Sequence, residues 1–296
     1  MPGGVIRLAD GFTFLESPRW HDGQLYLSDF YSHRVLRTPD GRDFETVCEV
    51  AGQPSGLGFD RENRLLVVSM TDRRLLRLED SGLIEVADLA GLAPCHCNDM
   101  VTDEYGRAYI GNFGSDFGGA GISPAGLVLV EPDGHARTVA SDLVFPNGMA
   151  ITPNGTTLLV AETFAYRITA FGIAPDGSLH SRRVWAGLGG STPRARTIAD
   201  ALASGQVTPD GICIDADGAL WIGDATGTGA MRIGESGEPL DYVDTGPRAV
   251  YAVALGGGDM RTLFMCAGPP FGRSNPARGH DGALLRCAVD VPAAGY

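Results

Sequence analysis

One short phrase recurs along the chain with a single changing position, and it restricts the possible folds more than any other feature. It reads Glu16-Ser17-Pro18, Pro54-Ser55-Gly56, Cys97-Asn98-Asp99, Pro146-Asn147-Gly148 and Pro209-Asp210-Gly211. Most copies are tight turns marked by Gly or Pro, and each opens an apolar stretch. A sixth stretch, Val250-Tyr251-Ala252-Val253-Ala254-Leu255, has the same shape without the turn residues. Each copy is followed by a second apolar run: Gln24 to Asp29, Arg64 to Ser69, Arg107 to Asn112, Thr157 to Glu162, Ala219 to Asp224 and Thr262 to Cys266. The units lie about 40 to 60 residues apart, at or near the period of propeller blades. Short β-branched or aromatic runs between regular turn signals, with little helical periodicity, predict an all-β, six-bladed β-propeller over residues 1–296 as a single domain. Its ends are expected to meet in one blade, through Val5 to Leu8 and Ala283 to Val289. The interval between Trp185 and Pro209 is too long for a loop of this repeat. Residues 187–206 are therefore expected to form a lid-like insertion with a short helix over Thr197 to Ala203, started by Thr192-Pro193.

Composition narrows the function. The formal net charge of -13 argues against nucleic acid and anionic membranes as partners. All 23 basic residues are Arg, so Schiff-base chemistry and a P-loop lysine are excluded. No run approaches the roughly 20 apolar residues of a membrane span, and no signal peptide is visible at the N-terminus, so the expected location is cytoplasmic. The 6 cysteines are then expected as reduced thiols. No Gly-x-Ser-x-Gly or His-Glu-x-x-His motif is present.

In a propeller the first strand of each blade lines the central channel, so equivalent residues at its start form a ring at one end. The changing position carries Glu16, Ser55, Asn98, Asn147, Asp210 and Tyr251. Glu16, Asn98, Asn147 and Asp210 offer two carboxylates and two amide oxygens, a set suited to one hard divalent cation. Ca²⁺ is the first expectation, with Mg²⁺, Mn²⁺ and Zn²⁺ as alternatives. Ser55 and Tyr251 are expected as wall residues. The ends of the second strands return to the same face and bring a second ring: Asp29 and Phe30, Met70, Asn112 and Phe113, Glu162 and Thr163, Asp224, and Ala267 with Pro269. Phe117, Tyr166 and Phe271 are expected in an apolar wall.

These phrases, taken in order with Trp20, Trp221 and Gly256-Gly257, resemble the senescence-marker-protein/gluconolactonase/luciferin-regenerating-enzyme family of six-bladed propellers. The resemblance implies a metal held by Glu16, Asn147 and Asp210, with Asn98 at the metal or at the substrate. It also implies Asp210 as general acid/base. Sugar lactonases of that family carry an arginine where this chain has His96, and a glutamate in the loop that here runs from Phe113 to Gly119. The expected substrate-binding residues are therefore Asn98, His96 and Phe113. The expected activity is metal-dependent hydrolysis of a small, rather apolar lactone. The alternatives are organophosphate hydrolysis of the diisopropyl-fluorophosphatase type and a non-catalytic, metal-stabilised binding propeller. The expected partner is a small molecule, with the oligomeric state left open.

Overall fold

A computed structural model describes residues 4–114, 121–190, 195–272 and 277–294. These residues form 24 strands. The first, β1 (Ile6–Phe12), leads into blade one: β2 (Leu15–His21), β3 (Gln24–Asp29), β4 (Arg34–Thr38) and β5 (Glu45–Glu49). Blade two is β6 (Pro54–Phe59), β7 (Leu65–Ser69), β8 (Arg74–Glu79) and β9 (Gly82–Asp88). Blade three is β10 (Cys97–Thr102), β11 (Ala108–Asn112), β12 (Ala125–Val130) and β13 (Ala136–Leu143). Blade four is β14 (Pro146–Ile151), β15 (Thr157–Glu162), β16 (Arg167–Ile173) and β17 (Leu179–Gly187). Blade five is β18 (Pro209–Ile214), β19 (Leu220–Asp224), β20 (Gly229–Ile233) and β21 (Pro239–Asp244). Blade six is β22 (Ala249–Gly256), β23 (Thr262–Gly268) and β24 (Gly282–Ala288), with β1 as its outermost strand. Each blade is an antiparallel four-stranded sheet, and the chain is a six-bladed β-propeller. The closure expected from the two ends is present, with Ile6 opposite Arg286 and Phe12 opposite Gly282.

The blades are held together by six apolar clusters, one at each blade–blade contact. Within β7, Leu65 and Val67 face blade one, while Leu66 and Val68 face blade three. In the same way Tyr109 and Ile110 of β11 point to opposite neighbours, as do Trp221 and Ile222 of β19. A strand packed on both faces needs apolar side chains at consecutive positions. This explains why the second-strand runs read as unbroken apolar stretches and not as alternating ones. The outermost strands β5, β13 and β21 have one wet side and carry exposed charged residues.

The long interval before β18 contains a helix, α1 (Ile198–Ser204). It starts at Thr197, where the Thr197 side chain accepts from the Asp200 N–H and Asp200 accepts from the Thr197 N–H, a reciprocal capping box. The expected start at Thr192-Pro193 lies outside the described residues; the cap is Thr197. Ile198 and Ala201 pack into an apolar cluster with Phe113, Phe145 and Phe164. Among the described residues, no helix is long and apolar enough to cross a membrane.

Candidate active site

Every innermost strand breaks register at the recurring phrase. The shifts fall between Glu16 and Arg19, Pro54 and Leu57, Cys97 and Met100, Pro146 and Met149, Pro209 and Ile212, and Val250 and Ala252. A β-bulge bends the strand and re-aims the extra side chain. Here it falls at or just after the changing residue: Glu16 still pairs with Ser28, whereas Ser55, Asn98, Asn147, Asp210 and Tyr251 lie within the shift. Five of the six, Glu16, Asn98, Asn147, Asp210 and Tyr251, line one cavity of about 610 Å³. Ser55 does not line it; it is buried, and its carbonyl accepts a hydrogen bond from Ser28 Oγ at 2.6 Å.

The next position explains the glycines of the phrase. A Cβ on Gly148 would lie 2.5 Å from the Asp210 carbonyl oxygen, and one on Gly211 would lie 2.5 Å from Ala252 Cβ. Neighbouring inner strands touch backbone to backbone there. Blades one and three instead carry Ser17 and Asp99 at this position. Ser17 Oγ donates to Asp99 Oδ1 at 2.9 Å, and Arg19 Nη2 donates to the same oxygen at 2.7 Å. This buried network sits next to the cavity residues in sequence, and the Asp99 charge acts on both Glu16 and Asp210.

Glu16, Asn98, Asn147 and Asp210 are all buried. Burial, followed by the Asp210 and Asp99 charges, holds the Glu16 carboxyl well above its ordinary value. Burial, with Asp99 and Asp224, raises Asp210 in the same direction. Asp210 Oδ1 is buried without a hydrogen-bond partner. Both amides are tied through nitrogen: Asn98 Nδ2 donates to the Pro146 carbonyl at 3.1 Å, and Asn147 Nδ2 donates to Thr163 Oγ1 at 3.3 Å. Thr163 Oγ1 in turn donates to the Pro209 carbonyl at 2.8 Å. The amide oxygens are thus the atoms left for a ligand. Two crowded carboxylates, an orphaned carboxylate oxygen and two oriented carbonyls are a donor set that fits a hard divalent cation. Among the described residues no group of three His, Cys, Asp or Glu comes together, so a zinc- or copper-type cluster is not present.

The acids of the outer ring do other work. Asp29 Oδ1 accepts from the N–H groups of Thr13 and Phe14, Glu162 Oε2 from Val144 N–H, and Asp224 Oδ1 from Thr208 N–H. Each pins, through one carboxylate oxygen, the segment that leads into an inner strand, and none of the three lines the cavity. Glu162 is further paired with Arg167 and Arg182. Phe30, Met70, Phe113 and Thr163, one step on from the second strand, do line the cavity. Tyr166, expected in the wall, is buried in the cluster behind it, while Phe271 lines the cavity. Phe117 lies outside the described residues.

His96 lines the cavity beside Phe113, their rings 5.9 Å apart. It belongs to a ring that sequence reasoning otherwise missed, two residues before the changing position: Phe14, Gln53, His96, Phe145 and Thr208. The signal was present in the repeat, because these residues precede the phrase in blades one to five.

Residues 14–268 match the family described as SMP-30/Gluconolactonase/LRE-like region. The chain belongs to this family. Pentonolactonase XacC of Haloferax volcanii is 27% identical over 98% of this chain and 96% of its own length. The 6-deoxy-6-sulfogluconolactonase of Pseudomonas putida is 25% identical, covering 84% of this chain and 81% of its own. The crystal structure of a calcium-binding protein, regucalcin, from Agrobacterium tumefaciens superposes with a TM-score of 0.76 at 17% identity, over 98% of this chain and 95% of that one.

Proposed function

We propose that this chain is a divalent-cation-dependent lactonase. The observation that carries the reading is the convergence of Glu16, Asn98, Asn147 and Asp210, from four different blades, on one cavity. Family membership and relatives named as lactonases support it. The four residues would hold the cation, Ca²⁺ by the hardness of their oxygens. When bound, the ion supplies a Lewis acid for the lactone carbonyl and for the negative charge that develops on it. The chain's own residues supply position and proton transfer. Asn98 and Asn147 are oriented through their nitrogens, so their oxygens need no reorganisation on binding. The Asp210 carboxylate takes a proton from the attacking water as the new C–O bond forms, and returns it to the ring oxygen as the old C–O bond breaks.

The test is acid release from a panel of lactones in a pH-stat, before and after chelation, with an organophosphate run alongside. Turnover abolished by chelation and by Asp210→Asn is the expected result. Turnover that survives both overturns the reading. Turnover of the organophosphate alone reassigns the site to phosphoester chemistry, and a melting temperature lowered by chelation without any turnover reassigns it to a structural role.

A further inference from the structure

We propose, resting on the lactonase reading, that the substrate is a neutral lactone with an aromatic or alkyl body, and not a polyhydroxylated or anionic one. The cavity is floored by polar donors but walled by rings. Phe113 stacks on Phe145 with centroids 4.8 Å apart and planes at 18°, and Phe164 lies 4.8 Å beyond Phe145. These rings come from blades three and four. Across the channel, blades one and six contribute Phe14, 5.3 Å from Phe30 and 4.5 Å from Tyr251. A flat or alkyl body entering the mouth is therefore flanked by aromatic faces on both sides. Phe145 holds its place with φ at 53°, in the left-handed region that bulky side chains avoid. A backbone cost accepted at a wall position is a mark of a functional constraint.

The hydroxyls of the wall are largely committed. Thr13 Oγ1 is bonded to Asp29, Thr163 Oγ1 to the Pro209 carbonyl, Thr208 Oγ1 to Asp224, and Tyr251 Oη to the Pro269 carbonyl at 2.5 Å. Tyr31, Gln53, His96 and Asp281, which also line the cavity, have no side-chain hydrogen bond among the described residues. No Arg lines the cavity among the described residues, so nothing described there answers a sulfonate or carboxylate. A sugar lactone brings three or four hydroxyls, and each would need one of these four side chains, spread over four blades, as its partner. Each hydroxyl buried without a partner costs about 5- to 150-fold in affinity. Each methylene moved from water onto the rings gains about 4-fold.

The experiment uses the full chain with Ca²⁺ and measures kcat/KM for dihydrocoumarin, δ-nonalactone, glucono-δ-lactone and a pentonolactone. Binding of the matching lactams, 3,4-dihydro-2-quinolone and gluconolactam, is measured by calorimetry. The expected result is kcat/KM at least about 100-fold higher for the apolar lactones, and binding of the quinolone but not of gluconolactam. Phe113→Leu, which keeps the bulk apolar but removes a ring face, is expected to weaken quinolone binding about 5-fold. Sugar lactones turned over as well as the apolar ones, or gluconolactam bound as tightly as the quinolone, overturn the inference and leave the lactonase reading standing. Quinolone binding with no lactone turned over supports the cavity's ligand class and overturns the lactonase reading alone.

Discussion

Gly148→Ala tests the link between blade packing and the site. The added Cβ would lie 2.5 Å from the Asp210 carbonyl oxygen, 2.5 Å from Ile212 N and 2.6 Å from Gly211 Cα. All three are backbone atoms, so no flexible side chain can yield. Ordinary contact begins near 3.4 Å, so the inner strands of blades four and five must separate by about 0.9 Å. Overpacking costs up to about 3 kcal/mol, and the stiffer unfolded chain returns about 0.7 kcal/mol, leaving a net loss of roughly 2 kcal/mol. At about 2–4 °C per kcal/mol the melting temperature should fall by about 4–8 °C. The same movement separates Asn147, adjacent to the substitution, from Asp210. Calcium–oxygen distances tolerate only about 0.3 Å, so cation affinity should collapse. In calcium at 100 times Kd the parent protein gains about 2.7 kcal/mol. A variant with Kd raised about 100-fold gains only RT ln 2, about 0.4 kcal/mol, a shift of about 1 °C. Gly187→Ala is the control: a Cβ there meets nothing within 4 Å, and the variant should stay within about 0.5 kcal/mol of the parent. Differential scanning calorimetry with and without calcium reads both effects. A Gly148→Ala protein that melts with the control and keeps the parent's calcium gain would refute the argument.

Three further outcomes are expected. In chelator, Glu16 and Asp210 have raised folded values, so the folded state keeps protons that the unfolded chain releases. Stability should then fall as pH rises above the ordinary carboxyl range and through the raised folded values. Urea midpoints across that pH range check this, and a rising midpoint would contradict it. Arg19→Met leaves Asp99 buried and uncompensated beside two other carboxylates, and should cost about 3 kcal/mol by denaturant titration, with Arg19→Met/Asp99→Asn recovering much of the loss. Burial pushes the thiols of Cys48 and Cys287 up to about 11 and Cys97 up to about 12, with Cys213 and Cys266 also raised. A disulfide-exchange reagent at pH 8 should therefore label the native protein far more slowly than the urea-unfolded one.

The repeat made the propeller, its closing strand and five of the cavity-lining residues, Glu16, Asn98, Asn147, Asp210 and Tyr251, legible, because the phrase recurs in register with the blade. The bulge at or just after those residues was not legible. Glycine at Gly148 and Gly211 reads as a turn residue, whereas the backbone approach that requires it depends on the neighbouring blade. Nor did the sequence separate the carboxylates by role. Asp29, Glu162 and Asp224 resemble ligands in type and placement, but each accepts through one oxygen from backbone N–H groups of its own blade. What separates Glu16 and Asp210 from them is that these two line the cavity, whereas Asp29, Glu162 and Asp224 do not. The aromatic wall is half legible: Phe113 and Phe271 follow second strands, while Phe14 and Phe145 sit two residues before the changing position.

The separation of duties along each inner strand has a consequence for how substrate preference is set. Residues after the bulge, such as Leu57, Met100 and Met149, enter the blade–blade clusters and cannot change without disturbing the core. The changing residue lines the cavity in five of the six blades, and in four of them it supplies an oxygen for the proposed cation. Residues two positions earlier touch neither the blade–blade clusters nor the proposed cation, yet Phe14, Gln53, His96, Phe145 and Thr208 all face the cavity. Exchanging a ring there for a polar side chain alters what the wall can bind and leaves the donor set in place, at a cost in stability because Phe145 is buried with Phe113 and Phe164. On that logic, Phe145→Gln with Phe14→Asn should move preference toward hydroxylated lactones without loss of the calcium-dependent gain in melting temperature, because the groups that choose the substrate and those that hold the ion occupy different positions of the same repeat.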